Sequence, residues 1–383
     1  MEKTSKLIPE LRFPEFLNDG EWYPKELNEI LDYERPDNYI VTDTNYQNEG
    51  MPVLTANKSF VLGYTKEDFG IYNNLPAIIF DDFTVDNKYV DFPFKVKSSA
   101  IKILKNKGDD NLKFIYELIA QIKFNATEHK RYYISEYQNL SVNVPNSNEQ
   151  QKIANCLTSL DELITAHNDK LEALKNHKKG LLQNLFPQEG ETVPKFRFPE
   201  FINDGDWEEI ALGKLAENLD SKRIPITSNQ REKGSIPYYG ASGIIDYVKD
   251  YIFNEILLCV SEDGANLIDR NYPIAFTIKN KTWVNNHAHV LRFQNYYTHV
   301  LVEKYINSIN VQDFLTGMAQ PKLNRGKLDI IPIPLPRNPK EQQKIAECLK
   351  EVDNLIIAQT KKIEHLKNHK KGLMQGLFPK LKN

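Results

Sequence analysis

The sequence predicts an α/β (α+β) protein of two similar globular domains. Two long antiparallel helices join them as a coiled-coil spacer, and a pseudo-twofold axis relates the halves. Three observations predict this. The chain repeats itself: Arg12-Phe13-Pro14-Glu15-Phe16 returns 185 residues later as Arg197-Phe198-Pro199-Glu200-Phe201, and each copy runs through Asn-Asp-Gly to a tryptophan, Trp22 or Trp207. Glu149-Gln150-Gln151-Lys152-Ile153-Ala154 and Lys175-Asn176-His177-Lys178-Lys179-Gly180-Leu181 both return 192 residues later, from Glu341 and Lys367. Between these blocks the letters barely match, so constant and variable stretches alternate. The later constant blocks also carry apolar residues at helical spacing. Two copies make a duplication rather than a solenoid.

The elements follow in order. Residues 1–23 form a constant leading segment, and residues 24–147 a first variable domain. That domain has a β-rich stretch at Ala77-Ile78-Ile79-Phe80, an amphipathic helix over 112–123 and an extended, Pro-bounded strand over 140–145. Residues 148–187 are a helix with Pro145 before it and Pro187 after it as start and stop signals. Residues 188–207 repeat the leading segment. Residues 208–338 repeat the domain, with a strand at Ile256-Leu257-Leu258-Cys259-Val260, a helix over 298–309 and a strand over 328–336. Residues 339–383 repeat the helix, between Pro339 and Pro379. The polar letters differ between domains: Phe80-Asp81-Asp82-Phe83 aligns with Ser261-Glu262-Asp263-Gly264, and Lys97-Ser98-Ser99-Ala100 with Asn285-Asn286-His287-Ala288.

Each long helix spans about 38 residues, roughly 57 Å at 1.5 Å per residue. That is too long for one small globule. The apolar stripes, which include Leu163 and Leu355, are buried most simply against each other. The expected seam is Ile153, Leu160, His167, Leu174 and Leu181 against Ile345, Val352, Gln359, Leu366 and Leu373. His167 and Gln359 break the stripe at equivalent places. They either meet as a polar layer that fixes register or sit in water at the seam's edge.

Composition narrows the function. The chain has 383 residues and a net charge of −3, so it is no polycation, and a nucleic-acid role requires local basic patches or basic partners. No apolar run approaches a membrane span, and the N-terminus lacks a signal-peptide h-region, so a cytoplasmic location is expected. Cys156, Cys259 and Cys348 form no CxxC pair and read as buried reduced thiols.

The polar residues of the variable domains are of types that contact DNA. Lys95, Lys97, Lys102, Lys105 and Lys107 form a basic run suited to phosphates. Lys58, Tyr64, Ser98 and Ser99 add to it in the first domain. In the second, Tyr238, Tyr239 and Ser242 lie in a flexible glycine-bearing loop. Asn285 and Asn286 match adenine, and His287 follows them. Gln320, Lys322, Asn324 and Arg325 make another polar, basic loop.

Catalytic signatures are lacking: there is no P-loop, no GxGxxG, no GxSxG and no Asn-Pro-Pro-Tyr methylation motif. Asp81, Asp82 and Lys88, like Glu262 and Asp263, faintly suggest a nuclease metal site, but acidic turns are commoner. His287 and His289 share a strand face without clear further ligands, so a hydrogen-bonding role is expected and no metal.

The chain resembles the specificity subunit of Type I restriction–modification systems over nearly its whole length. The resemblance rests on Phe-Pro-Glu-Phe leading to a tryptophan, on Tyr238-Tyr239-Gly240-Ala241-Ser242-Gly243-Ile244, and on Glu262-Asp263-Gly264-Ala265-Asn266. It rests also on Gln320-Pro321-Lys322-Leu323-Asn324, Ile331-Pro332-Ile333-Pro334-Leu335-Pro336 and the Glu-Gln-Gln-Lys-Ile-Ala helices. In the first domain Asn125-Ala126-Thr127-Glu128-His129 stands in place of the Gln-Pro-Lys-Leu-Asn loop. The resemblance implies two target recognition domains, each reading half of a bipartite, asymmetric double-stranded DNA site. It implies helices that dock two modification subunits, which bind S-adenosylmethionine and methylate adenine, and restriction subunits joined through them that use ATP and magnesium. This chain itself would bind no cofactor and catalyse nothing. The alternative is a DNA-binding scaffold or regulator outside a restriction system. A nuclease that cuts alone with magnesium is a third reading.

Overall fold

The computed structural model describes residues 7–57, 59–317 and 320–379. Lys58 lies outside the described residues. The chain divides into two compact units: residues 1–168 with 361–383, and residues 169–360. Each holds one variable domain, the start of its own repeat's long helix and the end of the other repeat's.

In the first unit a four-stranded antiparallel sheet runs in the order Leu31–Glu34, Ile101–Asn106, Ala77–Asp81, Asn87–Val90. A three-stranded sheet beside it pairs Met51–Leu54 antiparallel with Val61–Thr65 and parallel with Lys95–Val96. The strand Ala77–Asp81 is buried throughout. Ile78 and Phe80 face a core with the helix Leu112–Ile119, and Ala77 and Ile79 face a second core with Leu54, Tyr72 and Phe94. Alternate residues serve opposite faces of a strand, so such a strand must be apolar on both. Tyr23–Glu26 pairs with Ser141–Val144 and closes the domain.

The second unit repeats this plan. Its main sheet runs Ala216–Asn218, Ala288–Phe293, Leu257–Ser261, Ala275–Ile278. Lys233–Gly240 pairs antiparallel with Gly243–Val248 and parallel with Lys281–Val284. The helix is Tyr296–Ser308, and Glu208–Ala211 pairs with Pro332–Leu335. The stretch expected to be a flexible loop at 238–243 is therefore a tight hairpin, Gly240 opposite Gly243, with Gly243 at φ +106°. Cys259 lies in the inner core, where burial pushes its thiol up; Cys156 and Cys348 are only half-buried, on the helices.

The constant blocks clamp the helix starts. Arg12 donates two hydrogen bonds to the Glu149 carboxylate, at 2.8 and 2.7 Å, and a third to the Gly20 carbonyl at 2.6 Å. Arg197 does the same to Glu341, at 2.8 Å twice, and to Gly205 at 2.6 Å. Gly20 and Gly205 sit at φ +78° and +77°, which requires glycine in the Asn-Asp-Gly turn. Both ion pairs are buried, so a lone partner is costly. Arg12→Ala should destabilise the protein by about 3–5 kcal/mol, because a buried carboxylate then lacks its cation. Arg12→Met with Glu149→Leu should recover much of that loss. Denaturant midpoints of the two variants check it.

The long helices are Ser147–Leu185 and Pro339–Leu377, 39 residues each. Pro339 is the first helical residue rather than a signal ahead of it, where its missing N–H is harmless. Within each unit the helix segments run antiparallel. Asp161 near the start of one accepts from Lys370 near the end of the other at 2.6 Å, and in the second unit Asp353 accepts from Lys178 at 2.6 Å. Burial alone would raise the Asp353 carboxyl, but Lys178 and Lys304 outweigh it and hold it below its usual range. Ile153, Ile345, Val352 and Leu366 are buried, and Leu160, Leu174, Leu181 and Leu373 half-buried. Gln359 is buried and His167 half-buried, so neither polar position is fully in water. Leu163 and Leu355, expected on the stripe, are exposed, because a two-helix seam does not cover its flanking positions.

Candidate nucleic-acid interface

In each domain three loops converge at one end of the main sheet, and the same main-chain bonds tie them. In the first domain the Asp82 N–H donates to the Ala100 carbonyl at 2.8 Å, and the Tyr132 N–H donates to the Asp82 carbonyl at 2.8 Å. In the second, the Glu262 N–H donates to His287 at 2.9 Å, and the Leu323 N–H donates to Glu262 at 2.8 Å. Asp82 therefore corresponds to Glu262, and Arg131 to Lys322.

This corrects three alignments made from sequence. Asp81 lies opposite Ile101 and Ser261 opposite Ala288, so the pairing of Phe80 with Ser261 is one residue out of register. So is that of Lys97-Ser98-Ser99-Ala100 with Asn285-Asn286-His287-Ala288, since Ala100 answers to His287. The counterpart of Gln320-Pro321-Lys322-Leu323-Asn324 is His129-Lys130-Arg131-Tyr132-Tyr133, not residues 125–129. A strand buried on both faces carries no alternation from which register can be read.

The first site is built around Asp82, which is 1% exposed. One carboxylate oxygen accepts from the Tyr133 N–H at 2.9 Å. The other lies 3.4 Å from the Lys102 ammonium and 3.6 Å from the Arg131 guanidinium. Arg131 donates to the Ser99 carbonyl at 3.1 Å and lies 5.6 Å from the centre of the Phe83 ring. The His129 ring stacks on Phe83 at 4.8 Å and 17°. Lys97 and Ser99 are exposed on the neighbouring loop, and Ser98 is half-buried.

In the second site Glu262 accepts from Arg223 at 2.7 Å and lies 3.3 Å from the Lys322 ammonium. His289, buried, has Nδ1 2.5 Å from Asp220 and Nε2 2.7 Å from the Leu323 carbonyl. Burial would raise the Asp220 carboxyl, but His289, the Val290 N–H and Arg223 hold it below its usual range. Asp220, Glu262 and His289 place one ligand atom each within 4.8 Å of one another, the spacing of a metal site. Arg223 bonds Glu262 and lies 3.5 Å from Asp220, so a cation of the chain itself already occupies the space between the carboxylates and offsets part of their charge. Both ring nitrogens of His289 are engaged within the chain, Nδ1 by Asp220 and Nε2 by the Leu323 carbonyl, which leaves neither open to a metal. Above this cluster His287 pairs with Asp263 at 2.8 Å, and Asn286, Gln320 and Lys322 are exposed.

Several residues expected to contact DNA do not reach the surface. Lys95 is 0% exposed; its ammonium is held by Glu67 at 2.8 Å and the Phe69 carbonyl at 2.8 Å. Tyr238 is 1% exposed, and its hydroxyl bonds the Ile226 main chain. Asn285 is buried, and its side chain accepts from the His287 N–H, which shapes the loop. Asn324 caps the short helix Arg325–Asp329 by accepting from Lys327. Lys102 and Lys105 of the basic run are paired with Asp82 and Glu34. Ser242 and Arg325 are exposed; Tyr64 and Tyr239 are half-buried, Tyr239 stacked on Phe276 at 5.9 Å. Sequence reasoning missed Arg131, His129 and Phe83. The His-Lys-Arg triplet at 129–131 was the available signal.

The family described as the Type I restriction modification DNA specificity domain matches residues 19–176 and 204–368. The chain is 30% identical to the EcoR124I/EcoR124II specificity subunit of Escherichia coli, over 91% of each. It is similar in structure to the S subunit of a type I system from M. genitalium, with a TM-score of 0.70 at 17% identity, covering 98% of this chain and 100% of that one. It also matches a chain from a study of complex assembly and conformational transition in a type I system, with a TM-score of 0.52 at 15% identity, covering 93% and 97%.

Proposed function

The chain belongs to the family of type I restriction–modification DNA specificity subunits, the non-catalytic component that recognises DNA sequence, and from that premise we propose that its two domains read the two halves of a split, asymmetric site. The observation that carries this is one backbone frame with two different sets of tips: Phe83, His129 and Arg131 in one domain, Asp263, His287, Gln320 and Lys322 in the other. Different donors and acceptors on one frame read different base edges. Exposed lysines such as Lys97 supply phosphate contacts that position without specifying.

Specificity subunits of these systems work in complexes with other subunits and DNA. Here two modification subunits are proposed, one at each of two repeated grooves. In the first unit Asp161, Ile164, Lys370 and Met374 line a groove of about 540 Å³. Their repeat equivalents Asp353, Ile356, Lys178 and Leu182 line one of about 1080 Å³ in the second. Exposed Leu163 and Leu355, at equivalent positions on the same helices, extend the apolar surface. Grooves lined by equivalent residues on both repeats suit two copies of one partner. Those partners bring S-adenosylmethionine and methylate adenine; restriction subunits docked through them bring ATP and magnesium. Among the described residues no helix is long and apolar enough to cross a membrane, and the proposed place of action is the cytoplasm, with the DNA.

Methylome sequencing of a host that expresses this chain with its modification partner tests the proposal. A single bipartite motif with a fixed gap, methylated on adenine, is expected. A continuous motif, or none, overturns it.

A further inference from the structure

We propose that Arg131 is the guanine-reading side chain of the first domain, held in place by buried Asp82, and that Lys322, over Glu262, fills the same station in the second. This inference rests on the two domains being DNA-recognition domains.

The loops that carry these residues share almost no letters, yet each delivers a cation to the same point of the frame. The residue after each cation donates its N–H to the carbonyl of the buried acid, at 2.8 Å in both domains. Each cation is half exposed, 48% for Arg131 and 50% for Lys322, while its carboxylate is almost hidden.

Neither carboxylate depends on that cation. Asp82 already has Lys102, which is 4% exposed and cannot leave the core. Glu262 already has Arg223 at 2.7 Å. In the second domain the outer cation stands farther off than the inner, 3.3 Å against 2.7 Å. In the first the two distances are similar, 3.6 and 3.4 Å, and what separates the cations is exposure, 48% for Arg131 against 4% for Lys102. Asp82 carries one negative charge against the two positive charges of Lys102 and Arg131, so a net positive charge is presented at the surface. The attraction aims the side chain without saturating it.

Arg131 is also restrained by the Ser99 carbonyl and the Phe83 ring. A guanidinium has five N–H groups in a fixed fork, and a half-exposed one keeps donors on its solvent side. The fork matches guanine O6 and N7 in the major groove, and holding it in advance lowers the ordering cost of binding. Asp82 is a positioning residue, since it acts only through Arg131.

The test uses the complete chain assembled with its modification partner and a pool of randomised DNA duplexes. The wild-type complex should select a bipartite site; if it selects none, the premise fails and the role of Arg131 is not what failed. Given a selected site, Arg131→Ala should flatten the preference for guanine at one base pair of one half-site. Affinity for the selected site should fall roughly 10–100-fold, and the other half-site should keep its letters. Lys322→Ala should do the same in the other half-site. Asp82→Asn should weaken the preference at the same base pair as Arg131→Ala, a change that a merely structural role would not confine to one position. If that variant does not fold, the surface variants still decide. An Arg131→Ala complex that keeps every wild-type letter overturns the proposal, even with lower affinity, because the side chain then contacts phosphate alone.

Discussion

Residues 1–190 produced alone will assemble as a homodimer. In the full chain the core of the first domain is closed by Leu377 and Phe378, which come from the second repeat. The Phe378 ring lies 6.0 Å from Trp22 and 5.4 Å from Phe114. The fragment lacks these residues but carries their equivalents, Leu185 and Phe186. In the second unit Phe186 lies 6.1 Å from Trp207 and 5.5 Å from Tyr305, the same service rendered to the other domain. Hydrogen bonds repeat the exchange: the Leu11 N–H donates to the Gly376 carbonyl, and the Phe196 N–H to the Asn184 carbonyl, each at 2.8 Å. Asp161, which takes Lys370, can take Lys178 of a second copy. Loss of a buried Phe alone costs about 3–5 kcal/mol, a large share of the 5–15 kcal/mol that typically holds a domain together. A lone fragment loses that plug and exposes the stripe from Ile153 onward. Sedimentation at micromolar concentration and pH 8 should show a dimer. A well-folded monomer refutes the account. With modification subunits, the dimer should bind a palindrome whose two halves match.

Exchange of residues 24–146 for the matching region of a relative should change one half-site of the recognised DNA and leave the other intact. The first cut passes through the ladder of Tyr23–Glu26 with Ser141–Val144 and leaves only Tyr23 behind, and the second falls just past it, so nearly all of its main-chain pairing moves with the domain. The contacts left behind are constant ones: the Arg12–Glu149 pair, Trp22 and the Phe378 plug. Asn146 bonds Asp19 at 2.8 Å, and Asn338 bonds Asp204 at 2.6 Å, so the junction has the same chemistry in both repeats. Methylome sequencing of the chimera is decisive. A simultaneous change in both half-sites would sink the idea of independent domains.

The architecture was legible in the sequence because duplication removes the usual ambiguity. A helical stripe that returns 192 residues later is signal rather than chance. The helices start at Ser147 and Pro339, against 148 and 339 read from sequence, and end at Leu185 and Leu377, two and six residues before 187 and 383. The site was less legible. Lys95 reads as a surface lysine in a basic run, and only the fold brings Glu67 and the Phe69 carbonyl to its ammonium. Tyr238 and Asn285 look like readers, but they are polar residues that serve a loop's own main chain. Arg131 was missed for the converse reason. Its loop matches its counterpart through carbonyl and amide groups, which every residue has, so no side-chain motif marks it. The helices also cross the repeat boundary, so each compact unit borrows a piece that linear sequence assigns to the other copy.

The main-chain ties at Asp82 and Glu262 bear on how such a protein changes over generations. Loops anchored through peptide groups are indifferent to which side chains they display. Single substitutions at positions 129–131 or at 286, 287 and 320 alter the outer surface without disturbing the anchorage. A lineage can therefore wander through many DNA targets by point mutation, each intermediate still folded and still able to engage its partners. Positions 82 and 262 have no such latitude, since their acids are surrounded by cations that only an acid can neutralise. Variation among descendants should accordingly pile up a few ångströms outside an unvarying ring, and selection for a new target should leave the melting temperature nearly where it began.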